Sequence, residues 1–331
     1  MNSTVRRVGR RDAPAPAAKH PKTMDLRGRD YTAVLDLTAN EIRALIEAAL
    51  EMKTRARAGD RPPLLAGKVL ALVFEKPSLR THVTFQTGML QLGGHAIYLS
   101  PRDIEMGSRE SPLDVAKNLE RWVDGVAART FSHDTILELA RGARIPVVNA
   151  LSDWEHPCQT LATLLTIRER WGRLTDVRVV WIGDGNNVLR SLAFATGKLG
   201  LSLTICAPQA YGLDGDSIAR ARADAVQSHG TIELTDDPVQ AVSAADLILT
   251  DVWTSMGQEQ EAVARRRAFA PYQVNAVLLA RAPADAVVSH CLPAHRGEEI
   301  TDEVMDGPRC VAFDEAENRL HSQKALLAAI L

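Results

Sequence analysis

At 331 residues, 46% apolar and 24% charged, the chain has an ordinary globular make-up and the length for two domains with proper cores. A net charge of −2 and a pI near 6.5 give no electrostatic case for nucleic acid or an anionic membrane. The apolar runs are strand-sized, too short to span a bilayer. The four cysteines, Cys158, Cys206, Cys291 and Cys310, lie far apart with no CxxC pair, which points to a reduced, cytoplasmic protein.

Residues 1–24 differ from the rest. Arg6, Arg7, Arg10 and Arg11 precede the first acid, Asp12, and Ala/Pro repeats follow. An Arg-rich, acid-poor start can be a transit sequence, but the prolines argue against an amphipathic helix. The expectation is a disordered basic tail outside the fold.

From residue 25 the chain alternates. Ile42, Leu45, Ile46, Ala49 and Leu50 keep helical spacing across 40–53. Val69 to Phe74 is a continuous apolar run, as for a strand buried on both faces. Ser78 sits where an N-cap belongs, and the helix it opens stops at Gly93-Gly94. A short strand at 95–99 leads to a loop over 100–110, and Ser111-Pro112 opens another helix. Strands at 126–129 and 145–151 follow, with helix 135–140 between them, and a long helix over 157–171 closes this half. The polar stretch 172–176 reads as a hinge. Beyond it come strand 177–182, helix 188–199, strand 203–206, helix 217–228, strands 247–250 and 287–290, and a terminal helix over 315–330. Alternation with apolar strands predicts an α/β protein of two domains, each a parallel sheet flanked by helices, with the active site in the cleft between them. The expected division is 25–171, 172–313, and a C-terminal helix 314–331 packing back on the first domain.

In open α/β sheets, ligands bind beyond the carboxyl ends of the strands. The first half places Ser78-Leu79-Arg80-Thr81, Arg129 and His156-Pro157-Cys158-Gln159 there. The second half places Gly183-Asp184-Gly185-Asn186-Asn187, Asp251 through Ser255-Met256-Gly257, and His290-Cys291-Leu292-Pro293. Each has a bland reading: a solvated arginine, a helix start, a buried inert thiol. Together, the first set is cationic and donor-rich, suiting a phosphate and a polarised carbonyl. One donor aimed at a developing oxyanion is typically worth about 3 to 4 kcal/mol of barrier. The second set mixes acid, amide and thiol, suiting an amine. The pairing points to group transfer from a phosphorylated donor to an amine.

Rival motifs fit less well. Gly183-Asp184-Gly185-Asn186-Asn187-Val188 after a strand resembles a dinucleotide fingerprint, but its third glycine is Val188 and no ribose-binding acid ends the next strand. No Walker loop is present, and His156, His290 and Cys291 lack metal-ligand spacing.

These motifs resemble the aspartate/ornithine carbamoyltransferase family, from about Asp25 to the C-terminus. Ser78-Leu79-Arg80-Thr81 is similar to its Ser-x-Arg-Thr motif, His156-Pro157-Cys158-Gln159 to His-Pro-x-Gln, and His290-Cys291-Leu292-Pro293 to His-Cys-Leu-Pro. Asp251 with Ser255-Met256-Gly257 resembles the signature of the ornithine branch, and Ala316-Glu317-Asn318-Arg319 a segment whose arginine reaches the carbamoyl-phosphate site.

The resemblance implies that Ser78, Leu79, Arg80, Thr81 and Arg129 hold the phosphate, and that His156 and Gln159 contact the carbamoyl group. Pro157, Cys158, Leu292 and Arg319 complete that site. Asn187, Asp251, Ser255 and Met256 would bind L-ornithine, with Cys291 beside the reacting amine. Cys291, Asp251, Arg129 and His156 are then the catalytic set, with Cys291, as a thiolate steered by Asp251, helping to deprotonate the amine. The products would be citrulline and phosphate, with no metal or organic cofactor and no nucleic-acid or membrane partner. The unit would be a homotrimer or a multiple of trimers, a loop from one subunit reaching its neighbour's site. Three positions depart from the family pattern: His82 where arginine is common, Arg109 where lysine is common, and Glu105 where relatives place Gln or His toward the neighbour's carbamoyl phosphate. A carboxylate beside a dianion should weaken its binding. The alternatives left open are a carbamoyltransferase for another amine, and a catalytically weak relative with a binding or assembly role.

Overall fold

The computed structural model describes residues 26–104, 106–255 and 257–331. The expected tail, Glu105 and Met256 lie outside the described residues. The first half runs α1 (Ala39–Arg57), β1 (Val69–Phe74), α2 (Leu79–Gln91), β2 (His95–Leu99), α3 (Pro101–Ile104), α4 (Pro112–Leu119), β3 (Gly125–Arg129), α5 (His133–Gly142), β4 (Val147–Leu151) and α6 (Pro157–Trp171). The second runs β5 (Arg178–Ile182), α7 (Asn187–Leu199), β6 (Ser202–Cys206), α8 (Gly215–Ser228), β7 (Thr231–Thr235), α9 (Pro238–Val242), β8 (Leu247–Thr250), α10 (Ala262–Phe269), α11 (Ala276–Leu279), β9 (Val287–His290), α12 (Asp302–Met305) and α13 (Ala312–Ile330).

Both sheets are parallel, in the orders β2-β1-β3-β4 and β7-β6-β5-β8-β9. The strands expected to be apolar on both faces are so because helices cover both faces; β3 is buried at every residue. Each sheet has a point where chain order reverses, between β1 and β3 in the first and between β5 and β8 in the second. Crevices open there beyond the carboxyl ends. Register brings the ends level, with Phe74 opposite Arg129, Ile182 opposite Thr250, and Thr250 opposite His290.

Local chemistry sets the helix ends. Thr38 accepts from the Glu41 N–H at 3.3 Å while Glu41 accepts from the Thr38 N–H at 2.7 Å, a reciprocal cap that starts α1. The basic residues Arg55 and Arg57 suit its last turn. α13 packs against α1, α2 and α6. One apolar cluster runs from Leu70 and Phe74 of the first sheet through Leu161 and Leu326 to Leu203 and Leu247 of the second. The two sheets therefore share a core.

Most expected elements stand within a few residues of their bounds. Strand β7 was not expected. Its sequence Thr-Ile-Glu-Leu-Thr buries only Ile232, as befits an edge strand lacking the apolar run used to find the others. α13 begins at Ala312 rather than Glu315.

Candidate active site

The strand ends enclose a cavity of about 660 Å³, lined from both halves. Ser78, Arg80, Thr81, Arg129, His156, Gln159, Asn187, Asp251, Ser255, Cys291, Leu292 and Arg319 all line it. Leu79, Pro157 and Cys158 do not. The Leu79 side chain is 74% exposed, and Cys158 is fully buried with its thiol donating to the Asn149 carbonyl at 3.5 Å.

One wall is built by helix starts. Ser78 caps α2 by accepting from the Thr81 N–H at 3.3 Å, which brings Arg80 and Thr81 to the rim. Arg129 ends β3, and His156 stands at the N-terminus of α6. Arg319 arrives from α13, donating to the Gln159 amide oxygen at 2.6 Å and to the Thr81 hydroxyl at 3.1 Å.

This wall carries more donors than the protein satisfies. Nε of Arg129, Nε of Arg319 and Nδ1 of His156 are buried without a hydrogen-bond partner. Burial pushes Arg129 down to about 10, with Arg319 and Arg80 adding repulsion. Burial, then Arg319, Arg129 and Arg80, hold His156 well below the ordinary imidazole value, so the ring is neutral at pH 7. Three guanidinium groups and a neutral imidazole converge on one space. An anion there would relieve their repulsion and complete their hydrogen bonds.

The opposite wall centres on Asp251, just past β8. Its Oδ1 accepts from the Cys291 thiol at 2.9 Å and the Val252 N–H at 2.8 Å, and its Oδ2 accepts from the Asn186 amide at 2.7 Å. Asn186 also caps α7, its oxygen accepting from the Val188 and Leu189 N–H groups at 3.0 and 3.1 Å. Cys291 begins a turn in which Leu292 adopts φ +58° before a cis bond to Pro293. His290 braces that turn. Its Nδ1 accepts from the Leu292 N–H at 2.8 Å, so Nε2 carries the proton and donates to Glu299 at 3.0 Å.

The thiolate expectation for Cys291 is corrected here. Desolvation at the cleft floor, then the Asp251 carboxylate, push the thiol well above its ordinary value. Cys291 is a thiol that donates to Asp251. In the ligand-free cleft it holds the carboxylate as a thiol, where the sequence suggests a thiolate.

The competing motifs also receive a physical explanation. A Cβ at Gly185 would lie 2.3 Å from the backbone carbon of Gly212, so close packing of two loops requires that glycine. Asp251, His290 and Cys291 place possible ligand atoms within 4.8 Å of one another, but both ring nitrogens of His290 are already engaged. His82 does not line the cavity; it stacks on Tyr98 with ring centroids 4.0 Å apart.

Several cleft residues escaped the sequence reading. Lys76 is buried over the Phe131 ring at 4.4 Å, pushed down by burial and by Arg129. Glu315 accepts from Gln159 and Thr163 at 2.7 Å each and from Ser289 at 2.6 Å. It orients the Gln159 amide so that its oxygen faces Arg319. Asn186 already stood in the rim segment read from the sequence, though its hold on Asp251 was not foreseen; Glu315 had no such signal.

Comparison with known proteins follows the same lines. Residues 29–169 match the aspartate/ornithine carbamoyltransferase carbamoyl-P binding domain, and residues 175–330 match the Asp/Orn binding domain of that family. Ornithine carbamoyltransferase of Thermococcus kodakarensis is 47% identical over 93% of this chain and 98% of its own, and that of Bacillus subtilis 49% identical over 92% and 95%. The ornithine carbamoyltransferase structure from Pyrococcus furiosus superposes with a TM-score of 0.90 at 48% identity, covering 93% of this chain and 98% of that one. The Giardia lamblia structure does so with a TM-score of 0.82 at 31% identity, covering 91% and 97%. With both family domains matched in order and the cleft formed where they meet, the chain belongs to the aspartate/ornithine carbamoyltransferase family.

Proposed function

We propose that the chain transfers the carbamoyl group of carbamoyl phosphate to the δ-amine of L-ornithine, giving L-citrulline and phosphate. The observation that carries this reading is the polarity of the cleft. Arg80, Arg129 and Arg319 line it from one side, and Asp251, held by Cys291 and Asn186, lines it from the other. The relatives named ornithine carbamoyltransferase, one of them termed anabolic, support the acceptor and a role in arginine biosynthesis.

In this reading Ser78, Leu79, Arg80, Thr81, Arg129 and Arg319 take the phosphate, Leu79 through its place in the first turn of α2. Neutral His156 and Gln159 contact the carbamoyl group, whose carbon is polarised as its oxygen gains charge. Asn187, Asp251, Ser255 and Met256 take ornithine. A lysine-like amine has a pKa near 10.4, so reaching its neutral form at pH 7 costs roughly 4 to 5 kcal/mol. Asp251 is the group on that wall able to draw the proton, and the Cys291 thiol fixes its direction. The amine nitrogen then bonds to the carbamoyl carbon, the carbon–oxygen bond to phosphate breaks with its electron pair leaving on the phosphate, and that phosphate takes the surplus proton of the nitrogen.

The proposed domain division is 25–171 for carbamoyl phosphate and 172–313 for ornithine, with 314–331 returning to the first. Assembly as a trimer is supported by one face of α2, where Leu79, Val83 and Leu90 are exposed beside Ile97 of edge strand β2. Cytoplasmic residence is supported by the free cysteines. Among the described residues, no helix is long and apolar enough to cross a membrane.

Acceptor profiling tests the reading. With carbamoyl phosphate saturating, ornithine should exceed aspartate, lysine and N-acetylornithine by at least about a hundredfold in kcat/KM. A better rate with any of these would transfer the function to that acceptor.

A further inference from the structure

Glu155 is fully buried, directly precedes His156, and has no task in the transfer described above. Its Oε2 accepts from the Val34 N–H at 3.0 Å and from the Ser191 hydroxyl at 2.9 Å. The Ser191 oxygen accepts the His156 backbone N–H at 2.9 Å. A hydroxyl that accepts in this way sends its single proton to the remaining partner, here Glu155. The chain of bonds leaves the first half at His156, crosses α7 of the second, and returns to the carboxylate one residue earlier.

Other residues of α7 grip the same loop. Asn187 donates to the Ser152 carbonyl, and Arg190 donates to the Trp154 carbonyl at 2.7 Å while stacking over the Trp154 ring at 4.0 Å. Positions 187, 190 and 191 share one helix face. α7 therefore clasps loop 152–156, and Ser191 is the buried rung of that clasp, with an ionisable group behind it.

We propose that Glu155 is a positioning residue for the transfer reaction: as a carboxylate it orders the Ser191–His156 link and holds the His156 turn against α7, and its protonation loosens the cleft. This rests on the reaction proposed above.

The hydrogen-bond arithmetic favours the carboxylate. Oε2 already faces two donors, and Oε1 is buried without a partner. A proton on Oε2 would oppose those donors, and a proton on Oε1 would find no acceptor. The carboxylate leaves Oε1 unsatisfied as well, so what distinguishes it is the pair of bonds to Oε2, which a proton on Oε2 would break. Burial nonetheless pushes Glu155 up to about 7, against the lowering effect of the Val34 and Ser191 bonds. The charged and titratable groups facing it are Asp36, which raises it, Arg190 on α7, which lowers it, the Tyr31 phenol and His156. Burial keeps Tyr31 and His156 uncharged around neutrality, so neither supplies a competing transition there.

The test uses the whole protein with Glu155→Gln and, independently, Ser191→Ala. Citrulline formation is followed from pH 6 to 9, and carbamoyl-phosphate binding is followed by tryptophan fluorescence, Trp154 lying in the clasped loop. Wild-type kcat/KM for carbamoyl phosphate should fall about tenfold from pH 8 to 6 with an inflection near 7. Both variants should lose that inflection and run about tenfold below wild type at pH 8, with affinity changing in parallel. The ligand's own ionisation is common to all three proteins and cancels in the ratio. A folded variant that keeps the inflection or full pH 8 turnover overturns the proposal, and if one variant fails to fold the other decides. Wild-type binding with the inflection but no citrulline would overturn the ornithine reading and leave Glu155 in place. Wild-type binding without an inflection near 7 would overturn the role of Glu155 whatever the acceptor.

Discussion

The Cys291 thiol donates to Asp251 Oδ1 at 2.9 Å, joining the ends of β9 and β8. The direction of that bond decides which residue is the base. With the thiol pushed up by burial and by Asp251, iodoacetamide at pH 8 should alkylate Cys291 at least about tenfold more slowly than a free cysteine. Asp251→Asn removes the carboxylate and should speed alkylation about tenfold. Peptide mass spectrometry against time reads both rates. Fast wild-type alkylation would restore the thiolate.

Arg129 illustrates a site that costs stability until it is filled. Its guanidinium is buried beside Arg319 and Arg80 and is pushed down to about 10, so the cost is present throughout neutral pH. Arg129→Gln should raise the stability of the ligand-free protein by about 1 to 3 kcal/mol, a few degrees in Tm for a chain of this size. The same change should abolish most of the Tm rise produced by phosphate. Thermal melts with and without 10 mM phosphate, about the range for a weak anion, check both signs.

Glu315 is a buried hub, accepting from Gln159, Thr163 and Ser289 and interacting electrostatically with Arg319. Glu315→Ala strands the buried Gln159 and Ser289 donors, at about 1 to 3 kcal/mol each before relaxation, while the Thr163 hydroxyl keeps the Gln159 carbonyl at 3.3 Å. The net loss should be about 3 to 5 kcal/mol by urea unfolding. Where the variant stays folded, KM for carbamoyl phosphate should rise more than kcat falls, because Gln159 would no longer be oriented toward Arg319.

Glu155 should also write itself into the stability curve. Its value of about 7 in the folded protein lies above the ordinary 4.5, so the native state holds this proton more tightly than the unfolded chain does. The resulting stabilisation is full below pH 4.5 and is lost as the pH climbs through 7, a change of about 3 kcal/mol. Urea unfolding at pH 5 and pH 8 should show wild type losing that much relative to Glu155→Gln. Parallel pH dependences would contradict the burial argument.

Much of this was legible in the sequence because the signals are local. The β1 run Val69 to Phe74, the Ser78 cap and the Pro157 helix start each follow from a few adjacent residues, and the strand-end rule then collects Arg80, Arg129, His156 and Asp251 on one rim. What stayed hidden depends on three-dimensional partners. Glu315 and Glu155 read as ordinary acids until the fold buries them against Ser289 and Ser191, on elements distant in sequence. The protonation of Cys291 likewise depends on a contact 40 residues away, which no motif states.

The most direct measurement is citrulline formation by the purified protein, with carbamoyl phosphate titrated at saturating L-ornithine. The cleft as described predicts saturable turnover that Arg129→Gln lowers by at least about a hundredfold in kcat/KM. No citrulline from wild type, or turnover indifferent to Arg129, would contradict the assignment of the cationic wall to carbamoyl phosphate.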